Sequence, residues 1–350
     1  MRISLFVHET AHAKAGVPRD TKITRRTLLR SAAWSTAAVL HPAAIARGQA
    51  EPAYPSRPVT WVIPFAAGGA TDKLSHPICQ RLTTRLGQTF NLESRPGAGG
   101  NLATASVVKA APDGYTILAT STATAINVTF DPSLPFDVVH DLTQVAGMAR
   151  MPLLLLVSNE LPVHNLADFL AYARANPGKL SVGSAGLGTA QHLSAELFRT
   201  MAGVQWTHVH YRGSGPGMVD LASGHVHATF DNVAASLDLL RGGKIRALAV
   251  TTRERSELMP ELPPIWDVLP GYETSGFYGV AVPRGTPQDT VDLLNREIND
   301  AIADPAIHKG FRDIGAIPLS GDAREHAALF SNEIARWRNI VTISGARKNG

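Results

Sequence analysis

Two glycine-rich loops each lie between a predicted strand and a predicted helix. Gly68–Thr71 follows the apolar run Val59–Phe65, and Ser184–Thr189 follows a short strand that begins at Ser181. A helix N-terminus presents N–H groups without intrahelical partners, and glycine lets a ligand approach the backbone closely. Both loops could therefore bind a carboxylate without a lysine or arginine. The alternative is a pair of tight turns, but the recurrence of the pattern in both halves of the chain favours binding.

Four histidines form two His-x-His pairs, His208 with His210 and His225 with His227, and each pair could bind a metal ion from one face of a strand. No carboxylates stand at a spacing that would complete such a site, so we predict no metal and no cofactor. Cys79 is the single cysteine, which excludes an intramolecular disulfide and cysteine-based metal sites. We expect it to be a small core residue.

The usual signatures of catalysis are weak in this sequence. It contains no Gly-x-Ser-x-Gly elbow and no phosphate-binding Gly-x-x-x-x-Gly-Lys-Ser/Thr loop. The spacing of Gly213, Gly215 and Gly217 is not that of the dinucleotide-binding fingerprint. We therefore predict a protein that is not an enzyme, with a secreted α/β hydrolase or transferase that uses a serine-containing loop as a remaining alternative.

The elements that must position these loops alternate between short apolar runs and stretches of helical periodicity, a pattern typical of α/β architecture. Thr71 and Asp72 are predicted N-caps for a helix whose apolar face recurs over 74–86. In open α/β sheets, ligands bind at the carboxyl ends of the strands, where these loops lie. We predict strands over 59–65, 115–119, 153–157, 208–211, 226–230, 245–251 and 278–282, and helices over 102–110, 165–175, 190–201, 218–223, 288–303 and 324–343.

The charge of the chain is concentrated at its N-terminus. The 350 residues carry a net charge of +4, but residues 1–50 hold eight basic and two acidic residues. Residues 51–350 therefore carry 25 basic and 27 acidic residues, a net charge of −2. The basic balance does not point to a nucleic-acid partner, and we predict none.

Residues 1–50 resemble a secretory signal. Arg25-Arg26 is followed by Leu28-Leu29 and a weakly apolar, alanine-rich run, which favours the twin-arginine type of signal. Small residues at 44–46 and 48–50 offer two cleavage positions, and an amphipathic or disordered tail is the alternative. We expect cleavage and export to the periplasm as a soluble protein.

Seven motifs follow one another in order along the mature chain. They are Tyr54–Pro58, Pro64–Asp72, Arg95–Gly100, Asp113–Thr116, Tyr211–Pro216, Phe230–Asn232 and Pro283–Pro287. Together they resemble the Bug family, the periplasmic receptors of tripartite tricarboxylate transporters. Two positions depart from the family pattern: Ala67 stands where proline is common, and Phe277 stands where tryptophan is common.

The resemblance implies a two-domain periplasmic-binding-protein fold with a hinged cleft between the domains. Residues 51–155 and 278–350 would form the first domain and 156–277 the second, with crossings near 153–157 and 277–281. It implies a small carboxylate ligand, such as a di- or tricarboxylate, an amino acid or a nicotinate-like acid. It also implies a monomer that delivers this ligand to membrane permease subunits, and a ligand sensor for a signalling partner is the alternative.

The resemblance also implies which residues contact the ligand. Asp231 would favour a ligand with an ammonium group if it lies in the cleft, but as a helix cap or turn residue it would say nothing about the ligand. The implied contacts are Phe65, Ala67, Gly68, Gly69, Thr71, Asp72, Ser121 and Thr122 in the first domain and Ser184, Ala185, Gly186, Thr189, His192 and Asp231 in the second.

Overall fold

The computed structural model describes residues 54–346 and 348, which belong to one compact unit. The predicted signal in residues 1–50, with its arginine pair and both cleavage positions, lies outside the described residues. The described chain forms two mixed β-sheets with helices packed against them, which confirms the predicted α/β class. None of the helices in this part of the chain is long and apolar enough to span a membrane.

The first sheet has six strands within the described residues: β1 (Val59–Ile63), β2 (Phe90–Ser94), β3 (Thr116–Ser121), β4 (Leu142–Met151), β10 (Gly276–Pro283) and β11 (Ile317–Pro318). Their order is β11-β4-β10-β3-β1-β2. β1 pairs in parallel with both β2 and β3, whereas β10 is antiparallel to β3 and β4. The parallel strands β1 and β3 therefore end at the same edge of the sheet, where their following loops meet.

The second sheet has five strands within the same residues: β5 (Leu153–Ser158), β6 (Leu180–Ser184), β7 (Trp206–His210), β8 (Ala228–Asn232) and β9 (Ile245–Val250). Their order is β7-β6-β8-β5-β9. β6 is parallel to β7 and β8, so these three strands also end at one edge. The chain passes from the first sheet to the second at Pro152 and returns between Val250 and Gly276.

Helices follow most of the strands. The helix α10 contacts α3 near the first sheet and α5 near the second, so it packs against both parts of the molecule. Trp337 of α10 is fully buried in the core cluster of the second sheet. The helices are α1 (Ala70–Leu86), α2 (Asn101–Val108), α3 (Thr122–Phe130), α4 (Leu166–Ala175), α5 (Ala190–Ala202), α6 (Ser214–Ala222), α7 (Val233–Arg241), α8 (Gln288–Ala303), α9 (Pro305–Asp313) and α10 (Ala323–Ser344).

The strand predicted over 153–157 is confirmed as β5, because five consecutive apolar residues suit a strand buried on both faces. Cys79 is confirmed as a buried core residue. The predicted start of the helix over 218–223 is wrong, since α6 already begins at Ser214. Pro216 fits there because the first turn of a helix does not need its N–H. β2, β4, β11, α3, α7 and α9 were not predicted from the sequence.

Candidate functional site

Within residues 54–346, five helices begin at the wall of one small cavity between the loops of the two sheets. α1 and α3 follow strands of the first sheet, and α5, α6 and α7 follow strands of the second. The free volume is about 30 Å³, close to the volume of one water molecule in the liquid. The cavity is lined by Phe65, Gly69, Ala70, Thr71, Asp72, Ser121, Thr122, Ala123, Ala185, Thr189, Ala190, Gln191, Ser214, Asn232 and Tyr278.

The electrostatic character of this cavity comes from the backbone rather than from basic side chains. Each helix start presents N–H groups without intrahelical partners, together with the positive end of the helix dipole. Among the described residues, those that line the cavity include Asp72 but no lysine or arginine. Several helix starts around one space form a site for an anion that amide and hydroxyl groups can bind.

The loop before α1 is held by the first turn of that helix. α1 begins at Ala70 with Gly69 as its N-cap, and no side chain caps it. The prediction that Thr71 or Asp72 is the N-cap is therefore wrong, because the helix begins before both of them. The Asp72 carboxylate instead accepts the N–H of Gly68 at 2.9 Å. Thr71 lies in the first turn, is 3% exposed and lines the cavity.

The start of α3 contributes two hydroxyl residues with different roles. The Thr122 hydroxyl accepts the N–H of Phe277 at 2.6 Å, so it ties α3 to β10. The Ser121 hydroxyl is buried at the N-cap of α3, where it faces the backbone N–H of Thr124, and it donates to no group of the described residues. Tyr278, next along β10, also lines the cavity, and burial raises the pKa of its hydroxyl, as does the nearby Asp231. Ser121 is thus the better placed of the two α3 hydroxyls to bind a ligand.

Asp231 lies one layer behind the cavity wall on the side of the second sheet. Its Oδ1 atom accepts hydrogen bonds from Nε2 of Gln191 at 3.1 Å and from the hydroxyl of Ser214 at 2.9 Å. The same oxygen accepts the backbone N–H and the side-chain amide of Asn232, both at 2.8 Å. Gln191, Ser214 and Asn232 all line the cavity. Asp231 therefore fixes three wall residues that belong to three different helix starts.

The charge of Asp231 is costly in this position. It is 1% exposed. Burial raises the pKa of its carboxyl to about 6, while the hydrogen bonds from Gln191, Ser214 and Asn232 oppose part of that rise. The carboxyl consequently changes its protonation close to neutral pH, next to a cavity suited to anions.

His192 and Ser184 also lie behind the cavity wall. Nδ1 of His192 accepts the N–H of Gly188 at 3.3 Å, and the Ser184 hydroxyl lies 2.9 Å from Nδ1 of His210. Burial, together with the neighbouring imidazoles of His208 and His210, lowers the pKa of His192 to about 3. His192 is therefore neutral at neutral pH. Both side chains hold the loop between β6 and α5, and Ser184 is hydrogen-bonded behind the wall rather than exposed in the cavity.

The structure brings most of the predicted contact residues together. Gly186 lies in an adjoining cleft beside the 97–100 loop. Ala67 and Gly68 belong to the loop before α1, and Ser184, His192 and Asp231 lie behind the wall; none of these five lines the cavity. The predicted residues that line it are Phe65, Gly69, Thr71, Asp72, Ser121, Thr122, Ala185 and Thr189.

The sequence analysis missed several residues of the cavity wall. Asn232 is the last residue of a strand and stands immediately before a helix, as Ser121 does. That shared position is a signal which could have identified Asn232, whereas Ser214 is itself the first residue of α6. Tyr278 gave no such signal, because its strand joins β3 only through the tertiary fold. The missed residues are Ala70, Ala123, Ala190, Gln191, Ser214, Asn232 and Tyr278.

The loops of the two sheets touch each other around the cavity. The N–H of Ala66 donates to the carbonyl of Arg212 at 3.1 Å across the cleft. Gly215 packs against the opposite loop so closely that a Cβ atom there would lie 2.6 Å from the carbonyl oxygen of Ala67. Glycine at this position therefore permits the two loop sets to approach. The two loop sets are thus in direct contact, and the cleft is closed at these positions.

Comparison with known proteins assigns the chain to a family. Residues 76–345 match the model of the tripartite tricarboxylate transporter family receptor, TctC. The protein BugT of Bordetella pertussis is 34% identical over 297 residues, which cover 84% of this chain and 91% of BugT. The family match covers most of the region that holds the ordered motifs, as those motifs predict.

Solved structures are similar over the same region. Rpa4515 of R. palustris, solved with adipate, is 41% identical with a TM-score of 0.81 and covers 83% of this chain and 98% of its own. MatC of Rhodopseudomonas palustris, solved with bound malate, is 33% identical with a TM-score of 0.79, and the match covers 82% of this chain and 100% of MatC. The predicted resemblance is confirmed: this chain belongs to the TctC, or Bug, family of solute-binding receptors, which are binding proteins and not enzymes.

Proposed function

We propose that this protein is a periplasmic receptor that captures a small organic carboxylate, best a dicarboxylate, between the loops of its two sheets. It would then deliver the ligand to the permease subunits of a tripartite tricarboxylate transporter. The observation that carries the proposal is the convergence of five helix N-termini on one cavity whose described lining has no basic side chain. Such a site favours a small anion bound by backbone amides over a bulky polyanion.

The ligand class is supported by the relatives with bound adipate and malate, both of which are dicarboxylates. We propose that the fourteen predicted residues act in two groups. The eight that line the cavity would contact the ligand, and Ala67, Gly68, Ser184, Gly186, His192 and Asp231 would hold the surrounding loops in place. Gln191, Ser214, Asn232 and Tyr278 join the contacts.

We propose that the two sheets correspond to two domains that open and close about the crossings. The sheet membership of β5 and β10 supports a first boundary at Pro152 and a second between Val250 and Gly276. Residues 1–50 would be removed as a twin-arginine signal, and the mature receptor would act as a monomer. The closed form would be the one that the permease recognises.

Thr71→Val tests the proposed contact with the ligand. Valine keeps the shape of threonine but removes the hydroxyl, and Thr71 caps no helix, so the unliganded melting temperature should change little. The affinity for the bound dicarboxylate should fall roughly tenfold, the value of one lost hydrogen bond to a charged group. Isothermal titration calorimetry with adipate and malate measures the affinity.

Thr84→Val is the matched control, because Thr84 lies on the same helix, is exposed and bonds only to the carbonyl of Gln80. It should leave the affinity unchanged. Equal losses of affinity in the two variants, or a large fall in the melting temperature of Thr71→Val without a loss of affinity, would argue that Thr71 has only a structural role.

A further inference from the structure

A cluster of imidazoles and one carboxylate lies behind the cavity wall, between α5 and β7. His192 and Glu196 are four residues apart on α5, so they lie on one face of the helix, and His208 and His210 alternate on one face of β7. The ring centroids of His192 lie 4.9 Å from His208 and 5.0 Å from His210. The side chains on this face of α5 and on this face of β7 therefore lie next to each other in the fold.

Three of these side chains offer donor atoms close enough to share one ion. A nitrogen of His192, an oxygen of Glu196 and a nitrogen of His208 all lie within 4.8 Å of one another. Nδ1 of His208 and Oε1 of Glu196 are 3.0 Å apart. Two ligands of a tetrahedral zinc ion with bonds of about 2.0–2.1 Å are separated by a similar distance. Two imidazoles and a carboxylate suit zinc and its first-row neighbours.

The surroundings allow the exchange of a proton for a metal ion. Arg199 binds the other carboxylate oxygen, Oε2 of Glu196, at 2.6 Å and leaves Oε1 to His208. Nε2 of His208 is buried and has no hydrogen-bond partner among the described residues, so a proton can move from Nδ1 to Nε2 without breaking a bond there. Binding through Nδ1 of His192 gives up only the 3.3 Å contact from Gly188 N–H, and binding through Nε2 leaves that contact in place.

We propose that His192, Glu196 and His208 form a binding site for a first-row transition-metal dication of the zinc type. The metal lies between Nδ1 of His208 and Oε1 of Glu196, with His192 as the third protein ligand and water as the fourth. The stacked ring of His210, 4.6 Å from that of His208, covers the site. The sequence analysis predicted no metal, because no carboxylate stands at a fitting spacing from a His-x-His pair. Glu196 lies on α5, a different element from the pair on β7, so spacing along the sequence could not reveal that it completes the site.

The test is a zinc titration of the untagged full chain after treatment with a chelator, in competition with a chromophoric chelator. His192→Gln and His208→Gln should each weaken one zinc site at least tenfold. His225→Gln is the matched control, because His225 also faces a carboxylate, that of Asp220 at 3.4 Å, but is exposed and outside the cluster. Zinc affinity and stoichiometry that remain at the parent level in both cluster variants would overturn the proposal.

A second measurement avoids any substitution that could prevent folding. Crystals of the unaltered protein soaked in zinc should give an anomalous peak between His192, Glu196 and His208, at about 2.0–2.2 Å from their donor atoms. No peak at this position, with or without peaks elsewhere, would overturn the proposal. Neither measurement involves the carboxylate ligand, so the result is independent of the proposed function.

Discussion

Gly215→Ala is expected to weaken ligand binding by roughly 10- to 100-fold while the protein remains folded. A Cβ atom at Gly215 would lie 2.6 Å from the carbonyl oxygen of Ala67 on the opposite loop, closer than such atoms approach in proteins. Overpacking of this kind costs about 1–3 kcal/mol. Under the proposed function, this cost falls on the closed form alone, because the two loops would separate when the cleft opens.

The helix itself should tolerate this change. Gly215 is the second residue of α6 and has no left-handed φ, so alanine fits its backbone and favours the helix. Titration calorimetry with a bound dicarboxylate measures the affinity, and small-angle scattering reports whether the ligand still reduces the radius of gyration. A variant that binds and compacts as the parent does would show that this contact does not belong to the ligand-bound form.

Gly310→Ala is the matched control. Gly310 lies inside α9, and a Cβ atom there would have no neighbour within 4 Å. The substitution should leave ligand affinity unchanged and raise stability by up to about 1 kcal/mol. A loss of affinity in this variant would indicate that glycine-to-alanine changes act on binding through something other than the cleft contact.

Asp231→Asn is expected to change how stability depends on pH. Since burial raises the pKa of Asp231 to about 6 from the ordinary value of 3.8, the folded state holds its proton more tightly than the unfolded state. Its contribution to stability is therefore full below about pH 4 and is lost as the pH rises through about 6. The shift corresponds to about 3 kcal/mol. Asparagine removes this dependence and, with its amide oxygen in place of Oδ1, can keep the hydrogen bonds.

Urea unfolding of the parent and of Asp231→Asn between pH 4 and 7.5 measures the effect. As the pH rises across that range, the free energy of unfolding of Asp231→Asn should increase relative to that of the parent. The exposed Asp267→Asn is the control and should show no such relative increase. A difference in unfolding free energy between the parent and Asp231→Asn that stays constant with pH would contradict the account.

Under the proposed function, ionised Asp231 also repels the ligand, so the affinity of the parent for a dicarboxylate should fall as the pH rises through 6.

Much of the fold was predictable because its signals are local. The run Leu153–Val157 is apolar throughout and could only be a buried strand or helix segment, and its length favours a strand. β4 escaped prediction because Thr143, Gln144 and Arg150 interrupt its apolar pattern, although most of its residues are buried by the sheet and by α10. The start of α6 was missed because glycine and proline dominate its first turn.

The candidate site was predictable only in part, for the same physical reason. Thr71 and Thr189 belong to glycine-rich loops before helices, a signal visible in the sequence itself. Gln191 and Tyr278 reach the cavity because the packing of the two sheets brings their elements together. The residues next to them in the sequence do not predict this packing. The supporting role of Asp231 depends on three helix starts that meet at one oxygen, which only the tertiary structure reveals.

The central claim is that helix N-termini in the cleft bind a carboxylate, and the most direct test is a thermal-shift panel. The panel pairs mono-, di- and tricarboxylates, aromatic acids and amino acids with the neutral ester or amide of each. We predict a saturable rise in melting temperature with at least one dicarboxylate, no rise with its neutral counterpart, and a smaller rise in Gly215→Ala. No response to any carboxylate, or an equal response to the neutral counterparts, would contradict the claim.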